Sequence, residues 1–93
     1  MRYEYDPHKS HANKVKHGID FEEAQALWSD EFAIEQDARS DTEPRYLVVG
    51  RINDKMWSAF VVYRGATVRI ISVRRSRRQE IEDYEQELAR RRT

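Results

Sequence analysis

Three stretches in the second half of the chain have the apolar, β-branched and aromatic content of β-strands: residues 45–52, 56–63 and 67–76. The turn-forming pair Asn53-Asp54 separates the first two, and a short segment containing Gly65 separates the last two. Strands joined in this way by tight turns form an antiparallel meander. The pattern therefore predicts a three-stranded sheet at the centre of the fold.

The third stretch is predicted to be a central strand, because alternation gives it apolar side chains on both faces. One face would carry Val68, Ile70 and Ser72, and the other Arg69, Ile71 and Val73. Arg74 and Arg75 then fall on opposite faces where the strand ends. A guanidinium offers a planar fork of donors to phosphate oxygens, so this strand end is a candidate phosphate site.

Weaker patterns predict the other elements. Residues 2–5 and 32–37 alternate like short outer strands, and Gly50 predicts a bulge or a close approach. The predicted fold class is α+β, with a small antiparallel β-sheet, two N-terminal helices and one C-terminal helix. The sheet is a meander of three strong strands plus one or two short outer strands, in a single domain over residues 1–93.

Local signals mark the helix ends. Asp6, followed by Pro7, predicts the start of the first helix, and Gly18 predicts its end near His17. Two further helix starts have the spacing of capping boxes, Asp20 with Glu23 and Ser76 with Gln79.

The first predicted helix is polar almost all round, with Ala12 and Val15 as its clear apolar residues. It should therefore pack by one edge and leave its polar residues exposed, namely Lys9, Asn13, Lys14 and Lys16. His17 has two interpretations, a helix-end residue stabilised by the dipole or an acid or base near a phosphate. His8 and His11 have ligand spacing but no further ligand set, so no metal site is predicted.

The formal net charge is zero, but the charges are segregated. Residues 20–44 carry nine acids and one base, whereas residues 69–78 carry five arginines and no acid. A basic start and a basic strand-to-helix junction thus flank an acidic middle. The alternative for the arginines is salt bridging within the chain, although surface pairs contribute only ~0 to 1 kcal/mol.

Cysteine is absent, which excludes disulfides, thiol catalysis and thiolate metal sites. No apolar run approaches the ~20 residues of a membrane span, and the N-terminus lacks the apolar core of a signal peptide. We expect a cytoplasmic protein without a membrane partner.

Several motifs together resemble a known family. They are Tyr5-Asp6-Pro7, Lys16-His17-Gly18-Ile19, Phe21-Glu22-Glu23-Ala24, the strand Arg69-Ile70-Ile71-Ser72-Val73-Arg74-Arg75-Ser76, and finally Glu80 and Tyr84. In this combination the chain resembles BrnT, the toxin of BrnT/BrnA type II toxin–antitoxin systems.

The resemblance implies a RelE-like toxin domain that acts as a metal-independent endoribonuclease, needs no cofactor and inhibits translation. It also implies a BrnA-like antitoxin with a ribbon-helix-helix domain, whose complex with the toxin binds operator DNA and represses the operon. The candidate catalytic residues are Arg74, Arg75, His17 and Lys14, and the candidate RNA-binding residues are Lys9, Lys16, Arg69 and Arg77. Apolar strands with thin helical stripes further suggest a face covered by the antitoxin or by a homodimer.

The mechanistic hypothesis is attack of a 2′-hydroxyl on the adjacent phosphorus, with Arg74 and Arg75 stabilising charge on the phosphoryl oxygens. His17, Lys14 or Tyr84 would move protons, and the sequence leaves the choice open. The alternative function is a non-catalytic module that only binds a DNA-binding antitoxin.

Overall fold

A computed structural model of the chain describes residues 1–92. The strands are β1 (Arg2–Glu4), β2 (Ile34–Ala38), β3 (Arg45–Ile52), β4 (Lys55–Arg64) and β5 (Thr67–Arg75). The helices are α1 (Pro7–His17), a 3₁₀ helix (Glu23–Ser29) and α2 (Arg78–Arg92). All five strands form one sheet in the order β1-β5-β4-β3-β2, which confirms the α+β class and the meander of β3, β4 and β5.

The sheet is mixed, so the prediction of a purely antiparallel sheet is wrong. β1 pairs in parallel with the first residues of β5, from Thr67 to Arg69. The two strands are far apart in sequence, so no hairpin turn constrains their relative direction. β5 is an interior strand, as predicted, because it lies between β1 and β4.

A bulge changes the faces of β5. Val61 pairs with Ile70, but the preceding Phe60 pairs with Ser72, so Ile71 is an extra residue. Beyond it, Val73 returns to the face of Val68 and Ile70 and is buried with them. The predicted alternation beyond Ile70 is therefore wrong, because a bulge inserts one residue and reverses every later side chain.

Each face of the sheet is covered by a helix. The 3₁₀ helix packs on the first face, where its apolar residues Ala24 and Leu27 are fully buried. α2 covers the second face through an apolar stripe of Ile81, Tyr84 and Leu88. Gly50 marks a close approach, since a Cβ there would lie 3.1 Å from a Leu27 methyl carbon.

α1 begins and ends as predicted but buries other residues than expected. The Asp6 carboxylate accepts a hydrogen bond from His8 N at 2.8 Å, and Gly18 has φ 84°. Val15 is 77% exposed, whereas the buried residues are Ser10 and Asn13. The prediction that Asn13 is exposed is wrong, because its amide satisfies backbone groups that the sheet leaves unpaired.

The two predicted capping boxes have different outcomes. Asp20 Oδ1 accepts from Glu23 N at 2.7 Å and Glu23 Oε1 from Asp20 N at 3.0 Å, which confirms that box, although the helix it starts is 3₁₀. The box of Ser76 and Gln79 does not form. The Ser76 hydroxyl lies 2.8 Å from the Ser58 hydroxyl instead, and Glu80 accepts a hydrogen bond from Arg77 N.

None of the helices within residues 1–92 is both long and apolar enough to cross a membrane.

Candidate active site

α1 is fixed to the end of β5 by one amide side chain. β1 is too short to pair with β5 beyond Arg69, so the backbone of Val73 has no strand partner on that side. Asn13 takes this place: its Nδ2 donates to Val73 O at 2.9 Å, and its Oδ1 accepts from Val73 N at 3.2 Å. The same Nδ2 donates to Ile19 O at 2.8 Å. This contact places Asn13, four residues before the end of α1, beside Val73, two residues before the end of β5.

A second buried group holds β5 to α2. The Glu80 carboxylate accepts bonds of 2.9 Å from each terminal nitrogen of Arg74, and bonds from Ser58 Oγ at 2.8 Å and Arg77 N at 2.9 Å. The side chains of Arg74 and Glu80 are only 19% and 12% exposed. The alternative of an internal salt bridge is thus realised for Arg74.

The charge of Glu80 is stabilised by these donors. Burial alone would raise the pKa of this carboxyl group, but the bonds from Arg74, Arg77 N and Ser58 outweigh it and lower the pKa to about 2. The same pair raises the pKa of Arg74. Both groups remain ionised throughout the neutral range. The ion pair of Arg74 and Glu80, called the clasp below, therefore stays formed at neutral pH.

Arg75 lies on the opposite face and is exposed. Its Nε donates to Met56 O at 3.2 Å, and its guanidinium carbon lies 5.4 Å from the centroid of the Trp57 ring. Among residues 1–92, the two terminal nitrogens of Arg75 have no hydrogen-bond or ion-pair partner. Arg75 is thus an oriented guanidinium whose outer fork of donors faces solvent.

Four other predicted site residues lie in two segments, the last turn of α1 and the junction of β5 with α2. Lys14, Lys16 and His17 occupy the last turn of α1, directly after the Asn13 that contacts Val73, and Arg77 follows β5 at the junction with α2. Lys14 is paired at 2.7 Å with Glu23, both about half exposed. His17 is half-buried, and its side chain has no hydrogen-bond partner in the described part of the chain.

Two predicted RNA-binding residues lie away from this group. Lys9 is exposed in the first turn of α1, next to Asp6. Arg69 lies six residues before Arg75, roughly 20 Å along the strand, and is 3.7 Å from Glu4. Arg69 is therefore distant from the end of β5, and Lys9 lies about two helical turns before His17.

Tyr84, considered above as a proton donor, is part of the core. Its hydroxyl donates to Asp30 Oδ2 at 2.8 Å, and burial together with Asp30 raises its pKa. It faces a cleft of about 660 Å³ between the 3₁₀ helix and α2 that neither Arg74 nor Arg75 lines. Within residues 1–92, no group of three or more His, Cys, Asp or Glu side chains is placed to hold a metal ion.

Sequence reasoning missed the residues that support the site. Asn13 was assigned to the exposed surface because a polar side chain on a polar helix gives no sign of burial. Ser58 lies in an apolar strand and its fully buried side chain contacts Glu80. The spacing of Arg77 and Glu80 was a usable signal, since a Glu three residues after a helix cap commonly bonds back to the cap.

The fold and the site define a small α+β protein with a cationic, phosphate-compatible strand end. Residues 5–80 match the family described as the ribonuclease toxin, BrnT, of type II toxin–antitoxin systems. The chain belongs to this family, which confirms the resemblance seen in its motifs, and the family description implies an antitoxin partner. No curated protein matches the chain significantly.

Proposed function

We propose that the chain is a metal-independent endoribonuclease in which Arg75 binds the scissile phosphate. The observation that carries this proposal is the fixed guanidinium of Arg75, held by Met56 O and the Trp57 ring with its terminal nitrogens uncommitted. Such a group can donate two parallel hydrogen bonds to phosphoryl oxygens without first being reoriented. Because these donors are cationic, they can stabilise the added negative charge without a metal ion.

In the proposed reaction the 2′-oxygen of RNA forms a bond to the adjacent phosphorus, and the bond from phosphorus to the 5′-oxygen breaks. The 2′-hydroxyl loses a proton to a base, and the leaving 5′-oxygen takes a proton from an acid. The products are a 2′,3′-cyclic phosphate and a 5′-hydroxyl end. Arg75 stabilises the charge that develops on the non-bridging oxygens.

His17 is the proton-transferring group that we favour. It lies on the last turn of α1, one helical turn after the Asn13 that contacts Val73, and its imidazole is not committed to another residue in the described chain. Histidine can both give and take a proton in the neutral range. Lys14, the other candidate, is held by Glu23 at 2.7 Å.

Arg74 is assigned a positioning role, because both of its terminal nitrogens already bind Glu80. The clasp of Arg74 and Glu80 fixes the junction of β5 and α2, and so the direction of Arg75 and Arg77. We assign Arg77 and Lys16 to flanking phosphates. Lys9 and Arg69 would contact only more distant parts of an RNA strand.

The family resemblance supports the wider proposal. In it, residues 1–93 form a RelE-like toxin domain that acts in the cytoplasm and inhibits translation. A BrnA-like ribbon-helix-helix antitoxin neutralises the toxin, and the complex represses its operon by binding operator DNA.

The experiment is cleavage of a defined RNA by the purified chain in the presence of EDTA, with the ends of the products identified. Arg75→Ala should lower the cleavage rate by about 10²- to 10³-fold, the usual effect of removing one preorganised donor. Arg39→Ala, which removes an exposed arginine from the loop after β2, is the matched control and should keep parental activity.

An RNA with a 2′-deoxyribose at the scissile position should resist cleavage. If folded Arg75→Ala protein cleaves RNA at the parental rate, the assignment of Arg75 is wrong. If the parent neither cleaves RNA nor arrests growth when expressed alone, the chain is the non-catalytic binding module.

A further inference from the structure

The longer of the two edge strands of the sheet, β2, has an open side. β2 pairs only with β3, so the outer side of its five-residue backbone has no strand partner in the described chain. The other edge strand, β1, has only three residues; it pairs with the first part of β5, and Asn13 binds Val73 further along. An unpaired strand edge is a template onto which another chain can add a strand.

The charge around this edge is negative. Residues 20–44, which include β2, carry nine acids and one base. Within β2, Glu35 and Asp37 are exposed and pair with Val48 and Tyr46 of β3, on the face that carries the 3₁₀ helix. A strand added here would therefore meet two carboxylates on one face, at alternate positions.

Half-buried aromatic rings lie on the same face next to these acids. The rings of Tyr46 and Tyr63 are 5.4 Å apart, and the Tyr63 hydroxyl donates to Glu35. Trp28 and Tyr63 also line a cleft of about 250 Å³ beside the edge. Carboxylates together with accessible aromatic rings suit arginine and lysine side chains, through ion pairs and cation–π contacts.

The charge pattern discriminates among the possible occupants. RNA is a polyanion and would be repelled by this edge. A second copy of the chain, paired through its own β2, would bring Glu35 and Asp37 near the same acids, and like charges opposite each other destabilise strand pairs. A basic polypeptide segment is the occupant that the surface fits.

We propose that the antitoxin of this toxin–antitoxin system docks here by adding a basic, extended segment to the open edge of β2. The antitoxin itself follows from family membership, and the docking site does not depend on the proposed catalytic residues. A five-residue strand is small beside the ~1,200 to 2,000 Å² of a stable interface, so the segment also covers the cleft beside Trp28.

This site is separate from the end of β5. Two strands, β3 and β4, lie between β2 and β5, so the open edge is roughly 14 Å from the line of β5. The anchoring segment therefore does not itself contact Arg75, and binding of the antitoxin can be abolished without loss of the toxin's own activity.

The test uses Asp37→Lys, because Asp37 is exposed and its side chain makes no hydrogen bond in the described chain. The control is Glu85→Lys, an identical charge change at an exposed position of α2. Thermal unfolding first shows that both variants are folded. Affinity for the antitoxin of the same system is then measured, and Asp37→Lys should weaken it by at least about 10-fold while Glu85→Lys leaves it unchanged.

Two further readouts complete the test. The backbone amides of β2 should exchange with deuterium more slowly in the complex than in the free chain, and growth arrest by Asp37→Lys should no longer be reversed by the antitoxin. A synthetic peptide alternating Arg and Val should bind the parent more tightly than Asp37→Lys, and one alternating Glu and Val should not bind.

Parental affinity of Asp37→Lys, equal weakening by Glu85→Lys, or unchanged exchange of the β2 amides would each overturn the proposal. A concentration-dependent dimer of the isolated chain that Asp37→Lys dissolves would assign the edge to a second copy instead. Loss of RNA cleavage in the parent has no bearing on these binding measurements, so the two proposals fail independently.

Discussion

Two buried polar groups hold the end of β5, and they do so by different physics. On one side, the neutral amide of Asn13 bonds the N–H and the carbonyl of Val73. On the other, the charged carboxylate of Glu80 binds Arg74, Ser58 and the N–H of Arg77. The first contact joins α1 to β5, and the second joins β5 to α2.

The difference shows how the end of one strand is made rigid from both sides. A neutral clamp is indifferent to pH and to salt, whereas an ionic clasp depends on both partners staying charged. Removing either residue leaves buried partners unsatisfied, but only loss of Glu80 leaves an uncompensated charge. Removal of Glu80, which binds β5 to α2, should therefore lower the free energy of unfolding more than removal of Asn13.

Glu80→Ala should have the largest effect on stability. It leaves the mostly buried guanidinium of Arg74 without its counter-charge, and breaking such a pair costs about 4 kcal/mol. Chemical denaturation measures the change in the free energy of unfolding. Glu82→Ala, an exposed position in the same helix, is the control and should change it by less than about 0.5 kcal/mol. Similar values for the two variants would show that the clasp contributes little.

Acid should weaken the same clasp. The pKa of Glu80 is lowered from 4.5 to about 2 on folding. A carboxyl group whose pKa is lowered on folding stabilises the fold at pH values above its pKa in the unfolded chain. This stability is lost as the pH falls from about 4.5 towards 2. The loss attributable to Glu80 is about 3 kcal/mol. The free energy of unfolding of the parent, measured between pH 6 and pH 2, should fall by this amount. Glu80→Gln should depend less on pH over the same range. If Glu80→Gln has the same pH dependence as the parent, the assignment to Glu80 is wrong.

Asn13→Ala should have a smaller effect, about 2 kcal/mol, because it leaves neutral backbone groups rather than a charge unsatisfied. This loss of unfolding free energy should be the same at pH 4 and pH 7. His11→Ala, an exposed position on α1, serves as the control. If Asn13→Ala is no less stable than His11→Ala, the amide does not replace a strand partner as we infer.

The strands and turns of the meander were predictable because hydrophobic alternation and turn chemistry act locally. β3 has the predicted bounds, and Asn53, with φ 56°, lies in the predicted turn. Three features depend on contacts between distant residues: the parallel pairing of β1, the burial of Asn13 and the bulge at Ile71. Local patterns carry no information about such contacts, so these features were missed.

The position of the candidate site was predictable from the sequence, but the different environments of Arg74 and Arg75 were not. The sequence places Arg74 and Arg75 at one strand end and gives both the same chemistry. Tertiary structure separates them, since Glu80 engages Arg74 and leaves the fork of Arg75 uncommitted. The opposite faces of the two arginines were predicted from alternation, but the face given to each was reversed by the bulge.

The bulge in β5 makes the pairing register as important as the identity of the residues. If Ile71 paired with Phe60, in a strand without the bulge, every later side chain of β5 would change face: Arg74 would point towards Trp57 and Arg75 towards Glu80. The two arginines would exchange environments although neither had been replaced. The bulge, rather than the arginines themselves, therefore decides which guanidinium is paired with a carboxylate and which stays exposed.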